Sequence, residues 1–374
     1  MDFTLTPEQE TIRDTFHRFA KEKIKPRAAA IDEKGEFPRE VFLQVGELGF
    51  FGMRYPESAG GSGADVVSYC LAAEEIAYGS LSVAAACAMQ SLMGTYFLQR
   101  FGTAAQRKEL FEPALVGEKV GTICITEPDA GTDLKGIATT ATRDGDGFVL
   151  KGTKIWITQA PVADFFTVFA RLDGLLNIFL VKKSDKGLVV GRNIKKMGVW
   201  ASVTSEVFFE DCRIPADRLL GEEGKGEIYL REILNEIRVM TGALAVGQGR
   251  AALEDSLAYA KERKQFGKPI AAFQAIKLKF AEMDTDLEAA RRLVLYSAWR
   301  SDQGLPNTKE AAMAKLFASE AALGVCDKAA RVLASYGYAM EYPIQRYLRD
   351  IRFTLIGGGT SEILKLIIAK ETGV

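Results

Sequence analysis

The run Cys124-Ile125-Thr126-Glu127-Pro128-Asp129-Ala130-Gly131-Thr132-Asp133 marks where the chain changes texture. Before it the pattern is helical. Thr6-Pro7-Glu8-Gln9 reads as a helix start, with Thr as N-cap, Pro in the first position and Gln at the third. Ile12, Phe16, Phe19 and Ala20 then recur at helical spacing. A loop spans Tyr55 to Gly63, and helical composition resumes from about Val66 to Val116. From Gly121 to about Gly221, short β-rich runs such as Phe148-Val149-Leu150, Lys154 to Thr158, Phe165 to Ala170, Ile178 to Val181 and Glu206 to Phe209 are separated by turn residues. Asp144-Gly145-Asp146-Gly147 fits a hairpin connection. The junction run itself combines a rigid proline, a glycine and hydroxyls with free backbone N–H groups. Such a loop can hold a polar ring edge, and taken alone it also reads as a capped surface turn.

Farther out, helical spacing returns from about Ile228. Ile276, Phe280, Met283, Leu287, Ala290 and Val294 form the seam of a long bundle helix. Asn307-x-x-Glu310 after Pro306 is expected to cap the next one. The expected architecture is α+β and mainly α. A helical domain (1–120) precedes a central antiparallel β-barrel or sandwich (121–227) and a C-terminal helical bundle (228–374). The apolar stretch from Leu81 to Met93 is interrupted by Gln90 and Ser91, so it reads as a buried helix too short to span a bilayer.

Composition removes several function classes. Lys plus Arg (48) and Asp plus Glu (49) nearly cancel, so nothing draws the chain to a nucleic-acid backbone or an anionic membrane. The single histidine, His17, lies in a helical pattern and reads as a packing or surface residue. With it alone, a Ser-His-Asp triad or a His-based zinc site has little material. Five scattered cysteines without a C-x-x-C pair favour reduced thiols in a cytoplasmic protein. Met1 to Thr6 lacks the features of a signal peptide. The clusters Gly221 to Gly226, Gly247-Gln248-Gly249 and Gly357-Gly358-Gly359 lack the spacing of nucleotide-binding loops.

Five blocks, in order along nearly the whole chain, resemble the FAD-dependent acyl-CoA dehydrogenases. The junction run is similar to their T-E-P-x-x-G-[ST]-D segment, and Trp156-Ile157-Thr158 to their W-I-T strand. Arg263 to Ile270 with Phe273-Gln274 is similar to R-x-x-F-G-x-x-I…Q. Tyr336-Gly337-Tyr338 with Arg346-x-x-Arg349-Asp350, and Gly359-Thr360-Ser361-Glu362-Ile363, complete the set. The resemblance implies a four-helix bundle at the C-terminus, with FAD between it and the β domain. Ile125, Thr126 and Thr132 would meet the flavin and its surroundings, and Trp156 and Thr158 would cover its other side. Thr360 and Glu362 would approach from the last loop. Arg263, Phe266 and Gln274 would reach the FAD of a neighbouring subunit, which implies a homotetramer. The substrate would be an acyl-CoA, and electron-transfer flavoprotein is a candidate acceptor. The stretch Arg331 to Gly337 departs from the family's Q-x-x-G-G-x-G.

A second departure concerns the reaction. Where most relatives carry the glutamate that removes the substrate's α-proton, this chain has Gly358. Its backbone N–H is still available as an oxyanion donor. Some relatives carry the base at the start of a bundle helix, directly before an arginine. Counting back from Arg263 makes that arginine Arg238, a candidate pocket residue, and the base position Ile237, with Glu236 one residue away. Glu236 is the candidate base if a one-residue insertion shifts it into place; otherwise it is a helix-start charge. Without a base, about 10²–10⁴ in rate is forfeited for α-proton removal. Two other chemistries therefore stand beside an ordinary dehydrogenase with a displaced base. One is an alicyclic dehydrogenase of the cyclohexene carboxyl-CoA kind with another acid, towards which Tyr336 to Tyr342 points through its likeness to glutaryl-CoA dehydrogenases. The other is a base-free lyase such as a sulfinopropionyl-CoA desulfinase. A flavin-binding scaffold with a dead site is the non-enzymatic reading.

Overall fold

Helix α1 (Pro7–Phe19) starts as its sequence predicts: the Thr6 hydroxyl accepts from the Gln9 N–H, and the Gln9 side chain accepts from the Thr6 N–H. This computed structural model describes residues 4–374, so the expectation for Met1–Phe3 lies outside the described residues. Helix α2 (Val66–Gly79) is buried along its whole length, and Ser80 caps α3 (Leu81–Ala88) behind it. Even the carboxylates of α2 are enclosed. Glu74 meets Arg250 and Arg291, and Glu75 meets Arg250 at 2.6 Å and His17 at 2.8 Å. The lone histidine thus has a packing role.

The segment from α3 onward corrects one expectation. Leu81–Phe101 is 21 residues long and apolar enough to cross a membrane by length and composition, but its most apolar window is 83% buried inside the protein. Gln90 explains the polar interruption. Its side chain donates to the Ala114 and Lys119 carbonyls, both at 2.8 Å, and accepts from the Gly121 N–H at 2.9 Å. A buried amide therefore pins the helical domain to the first strand.

That strand, β1 (Gly121–Cys124), opens a curled sheet with β2 (Thr140–Asp144), β3 (Gly147–Thr158), β4 (Phe165–Leu172), β5 (Leu175–Lys182), β6 (Leu188–Asn193) and β7 (Thr204–Pro215). The order is β1-β4-β2-β3-β7-β6, with β5 beside β4. Most pairings are antiparallel as expected, but β1 runs parallel to β4, and β2 touches β4 in the same sense. The β2–β3 hairpin turns through Gly145, at φ 59°. Alternation on β4 and β5 divides two cores. Phe165, Phe169, Ile178 and Leu180 face the helices; Phe166, Val168, Phe179 and Val181 fill the sheet's own interior.

The C-terminal unit consists of α4 (Gly226–Glu262), α5 (Gln274–Asp302), α6 (Thr308–Leu333), α7 (Pro343–Ile351) and α8 (Ser361–Glu371). Helix α4 begins at Gly226 rather than Ile228; a Cβ there would stand 2.7 Å from the Leu176 carbonyl, so glycine lets the helix end lie on the sheet. On α5, Met283, Leu287, Ala290 and Val294 are buried, and Ile276 and Phe280 pack on the same core. Gly247 allows close contact between α4 and α2, since a Cβ would strike the Glu74 carbonyl. Asn307 does not cap α6 with its side chain. It donates instead to the Ser301 hydroxyl at 2.6 Å, because burial gives that amide a partner on α5.

Candidate functional site

The loop between Thr354 and Ser361 is held by α6. Lys315 donates to the Gly359 carbonyl at 2.6 Å, Ser319 to the Thr354 carbonyl at 3.1 Å, and Ser361 binds Glu320 at 2.7 Å. Thr360 caps α8, accepting from the Ile363 N–H, and Glu362 is exposed in its first turn. Within the loop Gly358 is left-handed, at φ 73°. A Cβ on it would stand 3.4 Å from both Ile237 Cγ2 and Thr241 Oγ1, residues one turn apart on α4. The two positions proposed for a base therefore face each other. One holds no side chain and the other an isoleucine.

Glu236 takes another direction. Consecutive helix residues are turned by about 100°, and its carboxylate receives Arg54 Nη2 at 3.0 Å and Nε at 3.2 Å. Helix α4 is continuous through this region, and Ile237 rather than Glu236 is the residue set against Gly358. Arg238 is turned the opposite way. It is 8% exposed, and its guanidinium reaches only Asn235 Oδ1, at 3.0 Å, while Nε has no partner among the described residues. Burial pushes its pKa down. Arg238 lines a cavity of about 580 Å³ with Thr132, Leu134, Leu234 and Asn235.

At the junction run, Glu127 is a locking residue. It accepts from the Ala138 N–H at 2.6 Å, the Thr139 N–H at 2.9 Å and Lys154 Nζ at 2.7 Å. Burial opposes its charge, but these bonds hold its carboxyl below the usual range. Lys154 also donates to the Ile125 carbonyl at 3.0 Å, fixing Ile125 and Thr126 against β3. Strand β3 bulges between Lys154 and Ile157, where Trp156 has φ 62° and is 55% exposed. A bulge re-aims one side chain; here it turns a large indole out of the sheet. Thr158 follows, half-buried.

Arg263, Phe266 and Gln274 stand elsewhere. Arg263 ends α4, about 25 residues and hence roughly 37 Å along the helix from Arg238. It lies 5.7 Å over the Tyr336 ring. Phe266 and Gly267, at φ 50° and 75°, form the tip of a two-residue hairpin that leaves Phe266 91% exposed. Gln274 is exposed at the start of α5.

Three adjoining stretches match the parts of one protein family: the N-terminal domain of acyl-CoA dehydrogenase at 6–118, its middle domain at 122–212 and its C-terminal domain at 224–373. The chain belongs to the acyl-CoA dehydrogenase family. It is 63% identical to a benzylmalonyl-CoA dehydrogenase of Aromatoleum aromaticum over 99% of both chains. Butyryl-CoA dehydrogenase from Megasphaera elsdenii is similar at TM-score 0.95, with 37% identity and full coverage of both chains. The FAD complex of PigA is similar at TM-score 0.95, with 30% identity, over 100% of this chain and 99% of that one. This acyl-CoA dehydrogenase is thus an enzyme acting on CoA thioesters, and its cofactor is FAD.

The residues present fit that group. An exposed indole on a strand bulge offers an apolar face for a ring system, and Thr126 and Thr158, whose carbonyls are held by the Ile155 N–H and the Thr122 hydroxyl, offer a polar edge. Three residues escape sequence reading. Thr241 was findable, since it follows Ile237 by one helical turn. Lys154 and Lys315 were not, because a lysine inside an apolar run carries no sign of the carbonyl it will meet.

Proposed function

We propose that this enzyme oxidises a 2-carboxyacyl-CoA, a substituted malonyl thioester, to the 2,3-enoyl-CoA with loss of CO2. The observation that carries this reading is the pairing of side-chain-free Gly358 with Ile237, which leaves no carboxylate where an α-proton would be taken. Breaking the bond from Cα to the substrate's carboxylate leaves an electron pair on Cα, as deprotonation would. The pair then forms the Cα=Cβ bond as a β-hydrogen departs as hydride. FAD, when bound, supplies the hydride acceptor. Ile237 gives the departing carboxylate a dry wall, and charge leaving a carboxylate for a larger anion is eased by loss of water. The Gly358 N–H, which donates to no carbonyl among the described residues, is free to stabilise the thioester oxygen as charge builds there. The space vacated by a glutamate side chain is similar in size to the carboxylate that the substrate would bring. The relative named for benzylmalonyl-CoA supports this substrate class. The five buried, unpaired cysteines suit action in the cytoplasm, and the outward Phe266 hairpin suits a homotetramer.

The test is anaerobic mixing of the holoenzyme with benzylmalonyl-CoA deuterated at C2. The flavin band should bleach, one CO2 should appear per flavin reduced, and the enoyl product should retain the deuterium. 3-Phenylpropionyl-CoA, the same acyl group without the carboxylate, should not bleach the flavin. Bleaching by that thioester with loss of its C2 deuterium would overturn the reading. Release of sulfite from a sulfinate thioester, without bleaching by either compound, would favour the lyase chemistry instead.

A further inference from the structure

Several other arginines set into this protein meet carboxylates, although Arg346, 5% exposed, lies over the Tyr347 ring without an ion pair among the described residues. Arg54 has Glu236, and Arg250 and Arg291 share Glu74. Arg238 does not. It is as deeply placed, its Nε is unpartnered, and no carboxylate lies within ion-pair distance of it among the described residues. Lys315, fully buried close by, adds a second positive charge with a carbonyl rather than a carboxylate as its bonded partner. Burial pushes this amine down to about 8, with Glu320 and Glu362 opposing the shift and Arg238 adding to it. Leaving a cation buried without a partner costs several kcal/mol. The cavity is also lined by Asp133, Glu227 and Glu371, but none of them pairs with Arg238, whose guanidinium is left for an anion from outside the chain.

We propose that Arg238 is the residue that reads the substrate's 2-carboxylate, so that the substrate supplies the negative charge missing from Gly358. This rests on the decarboxylating reading above and names its specificity determinant. A dehydrogenase with a glutamate on the last loop carries the negative charge itself; here it arrives with the ligand. The charge does not vanish when CO2 leaves. It moves onto the thioester oxygen, still within the same cationic field. Arg238 therefore stabilises bound substrate and transition state to a similar degree, and its loss should weaken binding more than it slows the chemical step.

The experiment compares two ligands in the FAD-loaded enzyme, by ligand-induced change in flavin absorbance and by turnover. Wild type should bind benzylmalonyl-CoA more tightly than 3-phenylpropionyl-CoA. Arg238→Gln should weaken the carboxylated ligand by about 30-fold or more, as expected for removing one side of a buried charge pair. Affinity for the uncarboxylated ligand should stay within about threefold. Arg238→Lys should restore part of the preference, and unchanged FAD content establishes that both variants are folded. Equal weakening of both ligands would reduce Arg238 to a structural residue and overturn the proposal, as would wild type showing no preference for the carboxylated ligand. A preference that disappears in Arg238→Gln while wild type releases no CO2 would instead sustain this assignment and sink the reaction.

Discussion

At the scale of single residues, the reaction turns on what Gly358 faces. Ile237 Cγ2 is the nearest carbon to the place of its missing side chain. Replacing Ile237 by Glu would set a carboxylate there. The Ile237→Glu variant should gain flavin bleaching with 3-phenylpropionyl-CoA and lose C2 deuterium to solvent, with a gain of about 10² or more if the carboxylate acts as a base. Glu236→Gln should change the bleaching rate by less than about tenfold, because that carboxylate is engaged by Arg54. A larger drop would return Glu236 to the mechanism. Counting back from Arg263 singled out Ile237 from sequence alone, and Ile237 is the residue beside Gly358, while helical phase turns Glu236 towards Arg54. The unpartnered state of Arg238 was not legible, since it depends on which side chains fail to reach it.

Among elements, the joint between α3 and β1 concentrates the most consequence in one side chain. Gln90→Leu would keep the volume but leave the Gly121 N–H and two carbonyls without their partner. The expected loss is about 2–4 kcal/mol, read as a lower urea midpoint with unchanged slope. A loss under about 0.5 kcal/mol would show that water replaces the amide. Sequence reading took Gln90 as an interruption of an apolar helix and did not see the joint, because its partners lie 24–31 positions onward. The helical seams, the first cap and the β2–β3 turn were legible, each being a local pattern. The failed cap at Asn307 and the parallel placement of β1 were not, since tertiary partners decide both. The Trp156 bulge was equally hidden: pattern gives the period of a strand, not a break in its register.

For the whole molecule, the β domain and the bundle are tied together at Asp350. Its carboxylate accepts from the Val199 N–H at 2.6 Å, and Arg349 beside it binds Asp32 at 2.5 Å. Burial pushes the Asp350 carboxyl up to about 7, against the pull of the Val199 N–H, Arg349 and Arg346. The fold therefore keeps this proton where the unfolded chain has already released it. Its contribution to stability is full below the unfolded value of 3.8 and is lost as pH rises through about 7. Asp350→Asn removes that loss while keeping an acceptor for Val199. Its melting temperature should exceed that of wild type by more at pH 8 than at pH 5, and a gap independent of pH would exclude this origin. The order of the three domains was legible because composition changes at their borders; the buried charges that join them were not. The contact of Gly247 with the Glu74 carbonyl has a last consequence. It keys α4 against rotation, so lengthening the helix by one residue between Ile237 and Gly247 would swing the whole reactive face out of phase. New specificities in this scaffold are thus reached by exchanging side chains on a fixed shaft, not by altering its length.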